Sequence, residues 1–282
     1  MKMKIDTAIQ QANIILKRNY IKSSLLDSEI LISKVINKSR EYIILNLQKE
    51  ITKDDYLIFQ KLVTERSKGK PLAYLTGKKY FWKYEFEIDE DVLIPRPDTE
   101  LIIEQVLKIY KNKDTINFLD IGVGSGAILL SILKEKKGFF GTGIDISNKC
   151  IKVCKKNAYK LEVYERVKLF KSNIDNFTKG KYDLIISNPP YIKNLDLKKL
   201  DKDVKDFEPS IALNGGLDGL SEIRKIIKKS TELIKKNGKL IIEIAFNQKN
   251  EVKKILEDNG FYIIAVIKDL AKNDRCIISK KI

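Results

Sequence analysis

Apolar residues in the first seventy or so positions recur at three- and four-residue steps, which places them on one face of successive helices. Ser24 is a candidate N-cap for the second series, with Asp27 three residues later, and Thr52 and Asp55 stand in the same relation before the third. This pattern predicts a small helical-bundle domain over residues 1–75. The three apolar series are Ile5, Ala8, Ile9, Ala12, Ile15 and Leu16; Leu31, Ile32, Val35 and Ile36; and Phe59, Leu62 and Val63.

The period of the pattern changes to two from Tyr84 onward, as expected for an extended strand with one buried face. Pro95 and Pro97 then end the extended segment, and Asp98 and Thr99 are residue types that favour the start of a helix. Residues 76–95 are therefore predicted to form a β-hairpin linker. The alternating residues are Tyr84, Phe86 and Ile88 on one face and Glu85, Glu87 and Asp89 on the other.

Beyond residue 96, apolar β-rich runs alternate with helical stretches. Residues 184–186 and 240–242 are apolar on both faces, as in a parallel sheet covered by helices. We expect a doubly wound α/β domain over residues 96–282, with the polar segment 193–207 as a loop. The predicted strands are 116–121, 139–145, 167–171, 182–187, 239–245, 261–268 and 276–280, and the predicted helices are 127–136, 148–160, 220–236 and 249–258.

Composition narrows the class of protein. The chain has 282 residues, of which 43% are hydrophobic, and this content excludes a disordered chain. No run approaches the roughly 18 to 20 consecutive apolar residues of a membrane span. Asp6, Gln10, Gln11 and Asn13 stand where a signal peptide needs an apolar core. We therefore expect a cytoplasmic protein with no membrane partner.

Cysteine and histidine usage restricts the possible chemistry. Cys150, Cys154 and Cys276 are the three cysteines, and the chain has no histidine. A disulfide framework is excluded, a zinc site is nearly excluded, and no histidine can serve as a catalytic base, so no metal site is predicted. Cys150 and Cys154, four apart on a predicted helix, fit buried apolar positions better than a metal pair or a redox switch.

The formal net charge of +16 favours an anionic partner in general, but only seven of the 54 basic residues are arginines. Two interpretations stay open at this point. The lysines form either a solvated surface that reflects overall composition, or a basic patch that meets RNA, the ribosome or an acidic protein.

A glycine-rich turn follows the first predicted strand of the α/β domain. Residues 118–126 read as a strand that breaks into Gly122, Gly124 and Gly126 before a helix, and glycines there let the backbone approach a ligand. Nineteen residues later Asp145 ends the next strand, placed to accept hydrogen bonds from the two hydroxyls of a ribose. These features predict an adenosine-type cofactor. With Ala127 the turn also fits a relaxed dinucleotide fingerprint, so an NAD enzyme stays open at this point.

The chemistry is indicated by Asn188, Pro189, Pro190 and Tyr191, which follow the fourth predicted strand at the same edge of the sheet. The prolines remove two N–H donors, which leaves the Asn188 side-chain oxygen and the Pro189 carbonyl as acceptors for a planar NH₂ group. Tyr191 can stack on the flat face of that group. The alternative is a simple turn after a strand, with Tyr191 as packing.

Together these two segments resemble the S-adenosylmethionine-dependent methyltransferases that act on exocyclic or amide nitrogen. Further segments make nearly the whole chain closely similar to the peptide chain release factor glutamine-N(5) methyltransferases, the PrmC/HemK family. The stretch Pro95 to Glu100 is the most discriminating. The segments that carry the resemblance are 71–77, Phe81 with Trp82, 93–100, 208–213, 215–220, Glu243 with Gln248, and 269–275.

The resemblance implies a class I S-adenosylmethionine-dependent methyltransferase fold, Rossmann-like with a seven-stranded mixed sheet, after the helical domain and the hairpin. It also implies that the substrate is the glutamine of the Gly-Gly-Gln motif of class-1 release factors, methylated in support of translation termination. The helical domain would help to grip the release factor. We expect a monomer that needs no direct contact with nucleic acid.

The resemblance also assigns roles by position. Asn188, Pro189 and Tyr191 would be catalytic, and with Pro190 they would bind the substrate amide. Two departures from the family pattern stand out: position 173 is Asn where Asp is common, and Ala245 with Phe246 replaces a frequent glycine. The cofactor would contact Gly122, Val123, Gly124, Ser125, Gly126, Asp145, Asn173, Ile174 and Asn188.

Other functions fit parts of the sequence. A nucleic-acid adenine or guanine methyltransferase would use the same acceptors at Asn188 and Pro189. A cofactor-binding regulatory protein without chemistry is a further alternative. Trp82 is expected to pack rather than to bind a ligand, and Arg96 either pairs with an acid inside the protein or faces the substrate.

Overall fold

The computed structural model describes residues 3–282 and divides the chain into two compact units. One unit holds the residues up to Lys78 together with 201–207, and the other holds 79–200 together with 208–282. Within residues 3–282, no helix combines the length and the apolar character that a membrane crossing requires.

The first unit is a bundle of short helices around one apolar core. Its helices are α1 (Ile5–Arg18), α2 (Ser24–Val35), α3 (Arg40–Leu45), α4 (Lys53–Ser67) and α5 (Leu72–Thr76), and two short strands, β1 (Met3–Lys4) and β2 (Glu50–Ile51), pair antiparallel. Asp27 of α2 and Arg66 of α4 form a buried ion pair at 2.7 Å. Since Arg66 also donates to the carbonyls of Gly69 and Lys70, this pair fixes the end of α4.

Two local predictions for this unit are wrong and one is confirmed. Ile15 is 45% exposed because it lies about 80° around α1 from the buried row that ends at Leu16. Ser24 is not the N-cap of α2. It is the first helical residue, and its hydroxyl donates to the Asn13 side chain instead. Thr52 does cap α4, since its hydroxyl oxygen accepts the Asp55 N–H at 3.1 Å.

The predicted hairpin forms from β3 (Lys78–Phe81) and β4 (Tyr84–Glu87). Trp82 occupies the turn with a φ of 57°, a left-handed conformation that few non-glycine residues adopt. Its backbone N–H donates to Glu100 and its indole N–H donates to Glu135 at 2.8 Å. Trp82 is therefore held by acids of its own unit, in agreement with a packing role.

The second unit contains the predicted seven-stranded mixed sheet. The strand order is β10-β11-β9-β8-β5-β6-β7, and β11 alone runs against the others. The strands are β5 (Asn117–Ile121), β6 (Phe140–Asp145), β7 (Val167–Lys171), β8 (Tyr182–Ser187), β9 (Ile234–Glu243), β10 (Phe261–Lys268) and β11 (Asp274–Lys281). The helices that follow the hairpin along the chain are α6 (Glu100–Ile109), α7 (Ala127–Glu135), α8 (Asn148–Lys160), α9 (Lys202–Phe207), α10 (Ser221–Leu233) and α11 (Lys249–Asp258). All of them belong to the second unit except α9, which belongs to the first.

Most element boundaries lie within two residues of the predicted ones, and two differences are larger. β9 begins at Ile234 rather than 239, because Ile234 pairs with Tyr182 of β8 and ends α10 three residues early. The segment 193–207, predicted as a loop, contains the short helix α9.

The topology determines where a ligand can bind. The chain runs from β5 through β6 to β7 on one side of β5 and then crosses over to β8 on its other side. Such a switch point opens a crevice at the carboxyl ends of the parallel strands. The glycine turn after β5 and the Asn188 segment after β8 both lie there.

Candidate active site

A cavity of about 770 Å³ lies at the carboxyl edge of the sheet and is lined only by residues of the second unit. It gathers residues that follow β5, β6, β7 and β8, four strands that are separate in the sequence. Of the predicted site residues, Gly122, Gly124, Asp145, Asn173, Ile174, Asn188, Pro189 and Pro190 line it, whereas Val123, Ser125, Gly126 and Tyr191 do not.

The glycine turn after β5 has two different surfaces. Gly122 and Gly126 both have positive φ, 78° and 83°. A Cβ on Gly122 would meet no protein atom within 4 Å, so that position opens toward the cavity. A Cβ on Gly126 would lie 2.7 Å from Cys154 Sγ and Leu130 Cδ1. A side chain at position 122 would thus extend into the cavity, whereas one at position 126 would disturb the packing of helices α7 and α8.

Cys154 of α8 belongs to this packing, whereas Cys150, one turn earlier, lines the cavity. Cys150 and Cys154 are buried free thiols, and burial raises the pKa of Cys150 to about 12 and raises that of Cys154 as well. Such thiols stay protonated and unreactive, as expected for interior residues.

Asp145 joins the end of β6 to the glycine turn. Its Oδ2 accepts the Gly124 N–H at 3.0 Å and its Oδ1 accepts the Ser147 N–H at 2.8 Å. Burial raises the pKa of Asp145, while these backbone donors oppose the shift. Asp145 lines the cavity, so its carboxylate oxygens are acceptors that a ligand there can reach. The next residue, Ile146, adds a half-exposed apolar surface to the same wall, a feature that the sequence analysis missed.

Asn173 and Ile174 form the wall after β7. Asn173 caps a one-turn helix, because its Oδ1 accepts the Asp175 N–H at 3.1 Å. Its side-chain oxygen therefore already holds one hydrogen bond and has one acceptor position left. Ile174 is 6% exposed and belongs to the core below the cavity.

The opposite wall begins where β8 ends. The Ser187 hydroxyl donates to the Ile121 carbonyl at 2.8 Å, which fixes the end of β8 against β5. Asn188 follows, and its Nδ2 donates to Thr99 Oγ1 at 3.0 Å. One Nδ2 hydrogen is thus engaged by Thr99, and Oδ1, at the other end of the carboxamide, is an acceptor available for a ligand in the cavity that Asn188 lines.

Tyr191 lies behind this wall. Its hydroxyl donates to Glu243 Oε1 at 3.2 Å, and its ring packs on the apolar core of the sheet. Burial raises the pKa of Glu243 to about 7, although the Thr99 and Tyr191 hydroxyls and the Arg275 guanidinium oppose that shift. Glu243 is 1% exposed, and its Oε2 has no partner in hydrogen-bond geometry.

The stretch Pro95 to Glu100, which leads into α6, contacts several other segments of the second unit. Four polar residues of this stretch each contact a different part of the chain, and this convergence could not be read from the sequence. The contacts are Arg96 to Glu208 at 2.5 Å, Asp98 to Arg275 at 3.4 Å, Thr99 to Asn188 at 3.0 Å and Glu100 to the Trp82 N–H at 2.6 Å. Arg96 thus pairs with an acid inside the protein, because the Glu208 side chain is 2% exposed.

Gln248 connects three loops next to the wall that contains Asn188 and Pro189, which is called the acceptor wall below. Its Nε2 donates to the carbonyls of Tyr191 and Gly219 at 3.1 and 3.0 Å, and its Oε1 accepts the Ala245 N–H at 3.0 Å. The Ala245 backbone is therefore anchored, and Phe246 beside it is 62% exposed.

Asp120 is a buried acid to which the sequence analysis assigned no role. It is 1% exposed in β5, two residues before Gly122, and neither carboxylate oxygen has a partner in hydrogen-bond geometry. Burial raises its pKa to about 7, while the nearby Leu129 N–H in the first turn of α7 opposes the shift. A carboxylate inside an otherwise apolar strand was the available signal.

Comparison with solved structures agrees with this architecture. A methyltransferase from Pyrococcus furiosus superposes with a TM-score of 0.53 at 20% sequence identity, covering 70% of this chain and 88% of that one. At this identity the likeness concerns the fold alone, and it confirms the predicted class I methyltransferase fold. The match does not extend over the whole chain.

Sequence comparison is more specific. The description "PrmC N-terminal domain" matches residues 7–77, and "Methyltransferase small domain" matches residues 97–204. Two proteins named release factor glutamine methyltransferase are similar over nearly the whole chain. The one from Fusobacterium nucleatum is 40% identical over 94% of this chain and 76% of its own length, and the one from Clostridium acetobutylicum is 38% identical over 98% of both. The chain therefore belongs to the release factor glutamine methyltransferase family.

Proposed function

We propose that this protein transfers a methyl group from S-adenosylmethionine to the side-chain amide nitrogen of the glutamine in the Gly-Gly-Gln motif of class-1 release factors. The observation that supports this proposal most is a single cavity with two chemically different walls. One wall carries a glycine turn and a carboxylate, and the other presents the Asn188 oxygen beside Pro189.

The residues of the first wall fit the proposed cofactor. Gly122 leaves open space that a side chain would fill, and the Asp145 carboxylate at the cavity wall would accept the hydroxyls of a ribose. Asn173 and Ile174 would contact the adenine, with one acceptor position left on Asn173 Oδ1 for an amino group. Bound S-adenosylmethionine would supply an electrophilic methyl group on a positively charged sulfur.

The residues of the second wall would bind and orient the glutamine side-chain amide that receives the methyl group. Asn188 Oδ1 and the Pro189 carbonyl would each accept one of its two N–H groups, which holds the nitrogen in line and increases its electron density. Transfer then depends on positioning and on a water-poor site rather than on a histidine base, which this chain lacks. The amide nitrogen loses its proton to water or to a nearby oxygen once the methyl group is attached.

We further propose that residues 1–75 grip the release factor, with 76–95 as the hairpin linker and 96–282 as the catalytic domain. The separate match of residues 7–77 to the PrmC N-terminal domain supports this division. The reaction would take place in the cytoplasm, where translation terminates. A monomer would suffice, because every residue that lines the cavity comes from one unit of one chain.

The test is to incubate the protein with labelled S-adenosylmethionine and, separately, with a purified class-1 release factor, ribosomal RNA or duplex DNA. We expect one methyl group on the Gly-Gly-Gln glutamine, located by mass spectrometry. A release factor in which that glutamine is replaced by alanine is the matched control and should stay unlabelled. Label on nucleic acid alone, or on the control factor, would overturn the proposed substrate.

A further inference from the structure

Thr99 is a buried hydroxyl directly behind the acceptor wall. It is 4% exposed, ends the one-turn helix Pro97–Thr99 and does not line the cavity. Its Oγ1 accepts the Asn188 Nδ2 hydrogen at 3.0 Å, across 89 positions of the chain. The contact therefore involves Nδ2, the end of the Asn188 carboxamide that cannot accept a hydrogen bond from a substrate amide.

The direction of this hydrogen bond depends on Glu243. A hydroxyl can donate or accept, so Thr99 alone would tolerate either orientation of the Asn188 carboxamide. The Glu243 carboxyl is 1% exposed, its Oε1 accepts the Tyr191 hydroxyl at 3.2 Å, and its Oε2 has no partner in hydrogen-bond geometry. The Thr99 hydroxyl opposes the rise that burial causes in the pKa of this carboxyl. When ionised, a carboxylate only accepts, so it attracts the Thr99 proton and leaves Oγ1 to accept from Asn188.

We propose that Thr99 and Glu243 are positioning residues, which together hold the Asn188 carboxamide with Oδ1 toward the cavity and Nδ2 away from it. This inference rests on the proposed function, because it concerns the same amide site. In the opposite orientation Nδ2 would face the N–H group of the substrate amide that Oδ1 is proposed to accept. Donors would then meet donors, and the amide would lose one of its two acceptors.

Protonation of Glu243 is expected to weaken this arrangement. A neutral carboxyl can donate to Thr99 Oγ1, which frees the Thr99 proton for Asn188 Oδ1 and favours the opposite orientation. The groups that face Glu243 are the Tyr191 hydroxyl, the Arg275 guanidinium, the Asp98 carboxylate and the Cys276 thiol. Arg275 favours the ionised form and Asp98 opposes it, so kcat should rise with pH through the pKa of Glu243.

The first experiment compares Thr99→Val with Thr99→Ser on the full chain with a release factor substrate. Valine keeps the volume and removes the hydroxyl, so we expect kcat to fall roughly tenfold to a hundredfold with an unchanged Kd for S-adenosylmethionine. Serine restores the hydroxyl and should bring kcat back to within about threefold of wild type. Ser131→Ala, which removes a buried hydroxyl from α7, is the matched control and should not change kcat.

The outcomes separate the inference from the proposed function. A wild-type protein that does not methylate the release factor overturns the proposed function. If the wild type is active, a normal kcat for Thr99→Val overturns the inference, and so does an equal loss in Thr99→Val and Thr99→Ser, which would indicate packing alone.

The second experiment measures kcat against pH for Glu243→Gln, with the exposed Glu257→Gln on α11 as the matched control. We expect the rise of kcat through neutral pH in the wild type and in Glu257→Gln, and its loss in Glu243→Gln, since glutamine does not titrate. An unchanged rise in Glu243→Gln would overturn the role of Glu243. This measurement stays informative if Thr99→Val fails to fold.

Discussion

The two walls of the cavity are built in different ways. The glycine turn and Asp145 lie within 24 residues of one another, and their hydrogen bonds run mostly through the backbone, as from Gly124 N–H to Asp145. The acceptor wall is assembled from segments far apart in the chain, since Asn188 meets Thr99 across 89 positions and Arg96 meets Glu208 across 112. The glycine turn with Asp145 is therefore a local sequence motif, whereas the acceptor wall exists only in the folded domain.

Asn188→Ala should show the largest effect and separate the two walls most clearly. It removes the proposed hydrogen-bond acceptor of the acceptor wall and leaves the glycine turn unchanged, so we expect kcat to fall about a thousandfold. The Kd for S-adenosylmethionine, measured by isothermal titration calorimetry, should change little. A near-normal kcat would contradict the assignment of Asn188.

Asp120→Asn probes the buried acid beneath the glycine turn through stability. The pKa of Asp120 is raised from 3.8 to about 7 in the fold, so the folded protein holds this proton more tightly than the unfolded chain does. That contribution is fully present below about pH 4 and is lost as the pH rises through about 7. It amounts to roughly 2 to 3 kcal/mol between pH 5 and 8.

The measurement is the free energy of unfolding from urea denaturation at several pH values. The wild type should lose stability across this range, and Asp120→Asn should lose less, because asparagine has no proton to release. Equal pH slopes for the two proteins would show that Asp120 is not held protonated. The Glu243 variants should show the same sign, since the pKa of Glu243 is also raised by burial.

Asp145→Ala should give the reverse of the Asn188 result. Loss of the carboxylate removes the proposed ribose acceptor and the partner of the Gly124 N–H. We expect the Kd for S-adenosylmethionine to rise roughly tenfold to a hundredfold, with a smaller change in kcat at saturating cofactor. An unchanged Kd would count against the ribose role.

Gly122→Ala and Gly126→Ala sharpen the comparison within the glycine turn, with the smallest expected effects. Both glycines have a φ near 80°, so backbone strain of about 1 kcal/mol is common to the two variants. Gly122→Ala should mainly raise the Kd for S-adenosylmethionine, because its Cβ enters open space at the cavity. Gly126→Ala should mainly lower the melting temperature, because its Cβ meets Cys154 and Leu130. The same loss of stability in both would contradict the two-surface description.

Secondary structure followed from the sequence wherever the pattern was local and regular. The seven strands and the hairpin are where alternation and apolar runs predict them. The start of β9 was missed because residues 234–238 continue the polar pattern of the helix before them, and only their pairing with β8 makes them a strand. Ile15 was wrongly predicted to lie on the buried face of α1. A helix has 3.6 residues per turn, so some residues spaced three or four apart lie to the side of the buried row.

By itself, the sequence determined the fold class, the glycine turn, Asp145 and the Asn188 segment, because each depends on residues close together in the chain and on the period of burial. Only the tertiary structure decided that Arg96 pairs with Glu208, that Tyr191 reaches Glu243 behind the cavity wall, and that Thr99 holds Asn188. These contacts join segments that sequence spacing leaves independent. They exist because the sheet brings the ends of its parallel strands to one edge, where buried polar groups must find partners.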